Sequence, residues 1–195
     1  MRPKKITEED LLNYAVDLTE ANGYDNLSLH KLSDKLGIKP ASLYNHITGL
    51  GDLKGRIGTE ALRNFAALIR EKVTGKTGRE GLLAIAGCYV EYAKTHPEMF
   101  LAMISLPEQK TGNAEIYAAE VRSVFTRVVE VFPLQKTELV NIFFSMKSLA
   151  RGFYMLNRTA QGKEQSVQRH QDAFYYNIDL YCTRLESLHD AEKHS

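Results

Sequence analysis

Cysteine is nearly missing from this chain of 195 residues: Cys88 and Cys182 are too few for a disulfide framework or a structural zinc site. Neither charge is in excess, with 25 basic residues against 24 acidic. That balance excludes a protein held to nucleic acid by bulk charge and leaves any such contact to a small local surface. Apolar runs are short as well. The longest without a charge, residues 81–90 and 99–107, are about half of what a membrane span needs. The histidines show neither HxxxH nor HExxH spacing, so no metal site is expected. The basic start Met1-Arg2-Pro3-Lys4-Lys5 runs into Thr7-Glu8-Glu9-Asp10 where a signal peptide would carry its apolar core, so the expected compartment is the cytoplasm.

Strand-like alternation is also lacking, and what remains is helical. With 44% apolar residues the chain can bury a sizeable core. Thr7, followed by three acids, reads as the N-cap of a first helix bearing Leu11, Ala15 and Leu18, stopped at Asn22-Gly23. Ser28 caps a second helix with Leu29, Leu32 and Leu36, stopped by Gly37. Pro40 opens a third, from Ala41 to about Ile47. A fourth is expected over 52–73, and five more near 79–95, 97–106, 113–132, 136–160 and 165–187, with Pro97, Pro107, Pro133 and Gly162 at their borders. The fold class is all-α, about nine helices.

Residues 29–47, LHKLSDKLGIKPASLYNHI, carry the functional signal. Leu32 and Leu36 set the inner face of one helix and Leu43 and Ile47 that of the next, with Gly37-Ile38 at the turn. This is the spacing of a helix-turn-helix. It turns Lys39, Ala41, Ser42, Tyr44, Asn45 and His46 outward, and these groups suit phosphate oxygens and base edges. Gly75-Lys76-Thr77 ends like a phosphate loop, but the position needing glycine is Arg70 and helix precedes it, so that motif is rejected. Cys88 on an apolar face reads as an inert buried thiol.

Gly37-Ile38 followed by Ser42-Leu43-Tyr44-Asn45-His46-Ile47 resembles the signature of the tetracycline-repressor (TetR) family, a glycine and an aliphatic residue followed by T/S-L-Y-x-H-F. Leu11, Ala15, Asn22-Gly23-Tyr24, Ser28 to Leu32 and Asp52-Leu53 agree with it, so the resemblance covers roughly residues 6–65. It implies a ligand-controlled transcriptional regulator, usually a repressor and not an enzyme, that binds a double-stranded DNA operator as a homodimer and uses no cofactor. Ser42, Tyr44 and His46 would then contact DNA, mostly at phosphates. Lys39, Pro40, Ala41 and Asn45 occupy the groove-facing positions, and Ser28 and His30 lie on the supporting helix. The sequence departs from the pattern at Lys39, where a capping serine is usual, at Ile47 in place of phenylalanine, and at Thr48-Gly49, where a lysine is missing that Lys54 would replace. Residues 1–56 hold as many acids as bases, so few phosphate contacts per subunit are expected. Ser148 to Phe153 is similar to the His-Gly segment of one TetR ligand-domain class, with Arg151 in place of the histidine.

The second half is read as the sensing part. Tyr89, Tyr92, Phe100, Met103, Tyr117, Phe125, Phe143, Met146 and Met155 are richer in aromatics and methionine than a plain core needs, which suits a small-molecule pocket between helices. Arg122 and Arg151 are candidate anchors for a ligand carboxylate, or partners of Glu91, Glu115 or Glu120. The segment 139–156 is apolar nearly all round, and the last helix carries Phe174, Ile178, Tyr181 and Leu185 in one stripe. With Leu139 and Phe143 these are the candidate dimer face, a four-helix interface. The expected division is a DNA-binding domain over 1–47, a connecting helix over 48–78, a ligand-binding and dimerisation domain over 79–190 and a tail over 191–195. Two other readings remain open here: a helical carrier or small enzyme, and a regulator that binds DNA without an effector.

Overall fold

Helix α1, Glu8–Asn22, begins where its first amides find acceptors. The Thr7 hydroxyl accepts from the Asp10 N–H at 3.0 Å, and the Asp10 carboxylate accepts from the Thr7 N–H at 3.0 Å, a reciprocal cap. These positions belong to a computed structural model that describes residues 6–107, 112–160 and 163–193; Arg2, Lys4, Lys5 and Gly162 lie outside the described residues. α1 buries Leu11, Ala15 and Leu18, as their spacing predicts, and ends at Gly23. A 3-10 turn that the sequence reading did not anticipate follows over Tyr24–Asn26 and buries Tyr24. The Ser28 hydroxyl then accepts from the Lys31 N–H to start α2, Leu29–Leu36. Gly37, at φ 66°, closes it: its N–H reaches Asp34 O and the Ile38 N–H reaches Ser33 O, each at 3.1 Å. That left-handed closure costs glycine nothing and turns the chain sharply into the next helix.

α3, Pro40–Leu43, is shorter than the 41–47 expected. Beyond Leu43 the Asn45 and His46 amides bond three residues back, at 3.3 and 2.9 Å, so the segment continues as a tightened turn. Lys39 stands at the cap and supplies no side-chain acceptor. Six longer elements follow: α4 Leu50–Val73, α5 Gly78–Thr95, α6 Pro97–Ile104, α7 Gly112–Val129, α8 Lys136–Thr159 and α9 Glu164–Lys193. Among the described residues there is no strand, and no helix is long and apolar enough to cross a membrane.

The chain divides into two compact units. The first is Met1–Asn64 with His96–Glu115. In it α1 packs on α2 and α6, and Leu11, Leu32, Leu43, Leu53 and Ile57 are fully buried. α6 falls in the segment that the sequence reading assigns to the sensing domain, yet it packs here. The Glu98 carboxylate accepts from the Tyr24 N–H at 2.7 Å, and Glu20 meets His96 Nδ1 at 2.9 Å. α4 and α6 approach so closely at Gly58 that a Cβ there would stand 2.8 Å from both Ala102 O and Leu106 Cδ2.

The second unit is Phe65–Thr95 with Ile116–Ser195. α5, α8 and α9 pack on one another, and Phe65 sets its ring 4.6 Å from that of Tyr89. Arg79 at the start of α5 grips α9: its Nε donates to Glu186 at 3.0 Å, and it also meets Thr183 and Asp179. Cys88 and Cys182 are buried, and burial pushes each thiol up to about 11. They are protonated and shielded from oxidants, in keeping with an inert role.

Candidate nucleic-acid interface

The helix-turn-helix places its recognition segment by burying one side of it. Leu43 is fully buried and Ile47 nearly so. That leaves the intervening side chains to solvent: Lys39, Pro40, Ala41, Tyr44 and Asn45 are exposed, and Ser42 and His46 half-buried. Tyr44 is 60% exposed, so its ring and hydroxyl are open to a partner. Cation, hydroxyl, amide and imidazole therefore share a surface about two turns long, a composition suited to phosphates and base edges.

Other predicted members are partly engaged within the unit. Ser28 spends its hydroxyl on the α2 cap. His30 is exposed, with its Nδ1 2.9 Å from an Asp34 carboxylate oxygen. Lys54 is half-buried and holds its ammonium 4.6 Å from the centroid of the Tyr24 ring.

One positioning device escaped the sequence reading. Arg56 donates from Nε to Asp52 at 2.9 Å and from a terminal nitrogen to Glu8 at 3.3 Å, fastening the start of α4 to the start of α1. Asp52 also accepts from the Thr48 N–H at 2.9 Å, so it anchors the loop that leaves the recognition segment. The hydrogen bond from Arg56, then that from Thr48, holds the Asp52 carboxyl below the ordinary carboxylate range. The four-residue spacing of Asp52 and Arg56 was a readable signal; the reach to Glu8 was not.

In the second unit Tyr89, Phe143 and Met146 come together. With Ile69, Ile85, Val121 and Phe125 they line a cavity of about 10 Å³, room for about one water molecule. The other candidate ligand residues lie elsewhere. Tyr92 is buried against Phe65, whereas Phe100 and Met103 belong to α6 in the first unit. Arg122, Arg151 and Met155 are exposed.

The candidate dimer residues need a parallel revision. Phe174, Ile178 and Leu185 are at most 3% exposed: this chain already covers the stripe that they form. Leu139, Phe143 and Tyr181 are half-buried. What α8 and α9 leave to solvent is a second set, Val140, Phe144, Met155 and Leu156 on one and Tyr176 and Leu180 on the other.

No family model matches the chain. Among curated proteins it is similar to an uncharacterized HTH-type transcriptional regulator of Mycobacterium tuberculosis, 27% identical over 161 residues, or 81% of this chain and 73% of that one. It is also similar to one of Bacillus subtilis, 25% identical over 154 residues, covering 77% and 78%. Among solved structures, a TetR transcriptional regulator from Streptomyces coelicolor superposes with a TM-score of 0.70 at 17% identity, covering 95% of this chain and all of that one. A TetR transcriptional regulator from Legionella pneumophila gives 0.61 at 19%, covering 91% and 100%.

Proposed function

We infer that this chain, which has the fold of TetR transcriptional regulators, is itself a DNA-binding transcriptional regulator and not an enzyme. The observation that carries this is the outward face of α3 and its following turn, where an exposed Tyr44 stands among Lys39, Ala41 and Asn45 over a buried Leu43 and Ile47. In the proposed complex Ser42, Tyr44 and His46 bind phosphates, and Lys39, Pro40, Ala41 and Asn45 face the groove. His30 joins them once its pairing with Asp34 yields to the duplex, whereas Lys54 acts from its place over the Tyr24 ring.

The regulator works as a homodimer joined through the outer faces of α8 and α9. Large apolar side chains exposed one turn apart, Val140 with Phe144 and Tyr176 with Leu180, support this, since scattered exposure is ordinary but paired exposure on two helices calls for a cover. Such a dimer reads a near-palindrome with its recognition helices about 34–36 Å apart, or a multiple of that. A small-molecule effector binds at the cavity beside Tyr89 and releases the DNA. Ile69, in the cavity wall, lies on α4, whose first part, 50–64, belongs to the first unit, so this helix has residues in both units. Taking a largely competent population to a largely incompetent one requires an effector preference of roughly 5 kcal/mol between the two states.

The test is a fluorescence-anisotropy titration against the DNA upstream of the protein's own coding region, at two salt concentrations. Saturable, salt-weakened binding of two chains per site, strongly weakened by Tyr44→Ala, is the expected result. Lack of affinity for any duplex would overturn the reading.

A further inference from the structure

From the walls of the second unit's cavity we infer that the effector is an uncharged, largely apolar molecule. This rests on the effector-controlled reading above and narrows it to a chemical class. Four helices supply the lining: Ile69 from α4, Ile85 and Tyr89 from α5, Val121 and Phe125 from α7, Phe143 and Met146 from α8. No charged side chain is among them. A charge brought into such a place loses its hydration and finds no partner, so a neutral ligand is favoured over its ionised analogue of the same shape. The two arginines that the sequence put forward for a carboxylate, Arg122 and Arg151, are exposed on α7 and α8 and line none of it.

Tyr89 is the one polar group in the wall. Burial pushes its phenol well above the ordinary value, so it stays a neutral hydroxyl at any physiological pH. It adds no charge to the wall. Everything else is hydrocarbon, thioether and ring. The Phe125 and Phe143 rings lie 5.2 Å apart and tilted by 59°, and Met146 beside them is a flexible, polarizable chain able to fold away from an incoming ring. Mobility of that kind is needed, because about 10 Å³ holds no more than a water molecule. Phe143 is the half-buried member of the wall and so marks the way in.

One cation stands near this entrance. Lys147 holds its ammonium 5.6 Å from the Phe143 centroid and 4.9 Å from that of Phe144, the second of which is an exposed ring. It is occupied over aromatic faces and is absent from the lining, so it does not neutralise a ligand inside. A ligand acid reaching back to Lys147 is the rival outcome, and the experiment includes it.

The probes are N-phenylnaphthylamine and its sulfonate, anilinonaphthalene sulfonate, which share their rings and differ by one negative charge. Each is titrated into the full chain while its fluorescence is followed. The uncharged probe is expected to saturate at one molecule per chain and to bind at least about tenfold more tightly than the sulfonate. Met146→Trp, which fills the cavity, should weaken it by about tenfold or more with helicity retained. If that variant does not fold, Val121→Phe serves the same purpose from the opposite wall. Lys147→Met should leave the affinity for the uncharged probe unchanged. Equal or tighter binding of the sulfonate, dependence on Lys147, or failure of both probes to bind would each overturn the inference. The DNA titration is run alongside on the same preparation. Intact DNA binding with a preference for the sulfonate removes only the ligand class, whereas the expected probe preference with no DNA affinity removes only the regulator reading.

Discussion

Two surfaces of this molecule expose aromatic rings, and they differ in what surrounds the ring. On α3 and its following turn, Tyr44 is flanked by a cation, an amide and a small apolar residue. On α8 and α9, exposed apolar side chains come in pairs one turn apart, Val140 with Phe144 and Tyr176 with Leu180. The first composition fits an anionic, hydrogen-bonding partner and the second a partner with the same apolar character as itself. Exposure of a ring alone does not say which; its neighbours do.

The sharpest break of that comparison is a charge on the apolar face. Leu180→Glu sets like charges near each other across a two-fold axis, a cost of several kcal/mol. We expect sedimentation to show monomers at concentrations where the unchanged chain is dimeric, with circular dichroism unaltered because Leu180 is half exposed. A dimer that survives would move the interface off α9. The next effect belongs to the other surface. Tyr44→Ala should lower DNA affinity of the dimer by about a hundredfold, tenfold or about 1.4 kcal/mol for each protomer, and leave the dimer intact. Reciprocal loss, in which each variant harms the other function as much as its own, would mean that the two faces are not independent.

Smaller effects compare the interiors of the two units. Gly58→Ala drives a methyl onto the Ala102 carbonyl oxygen, and Gly81→Ala drives one onto Val128, whose Cγ1 would lie 2.6 Å away. Each should destabilise by about 1–3 kcal/mol in urea unfolding. Gly58→Ala should in addition weaken DNA binding, since it wedges apart helices of the unit that carries α3. Smallest is Asp52→Asn, expected to cost about 1 kcal/mol. Because the Asp52 carboxyl is held below its unfolded value, its contribution is present above that value and is lost as pH falls through the folded one. Melts run from neutral to acid pH should therefore show a shallower acid limb in the variant.

Much of this was legible before any coordinates. The caps at Thr7 and Ser28, the stop at Gly37 and the prolines at 40 and 97 act within four residues, so the sequence exposes them directly. The outward turn of Tyr44 follows from the four-residue interval between Leu43 and Ile47. The Asp52–Arg56 pair was readable by the same rule and was passed over. α9 resisted, because it carries two apolar stripes, Phe174, Ile178 and Leu185 on one side and Tyr176 and Leu180 on the other. Hydrophobic spacing records that a face wants cover and not whose chain provides it.

The amino-acid sequence by itself determined the helices, their ends and the outward chemistry of the recognition segment, all set by interactions between residues a turn apart. Tertiary structure decided which unit α6 joins, through the reach of Glu98 to the Tyr24 amide and of His96 to Glu20. It also decided that Arg122 and Arg151 lie outside the cavity around which Tyr89, Phe143 and Met146 meet. Those outcomes depend on contacts between residues far apart in the chain, and only the packed fold brings them within reach.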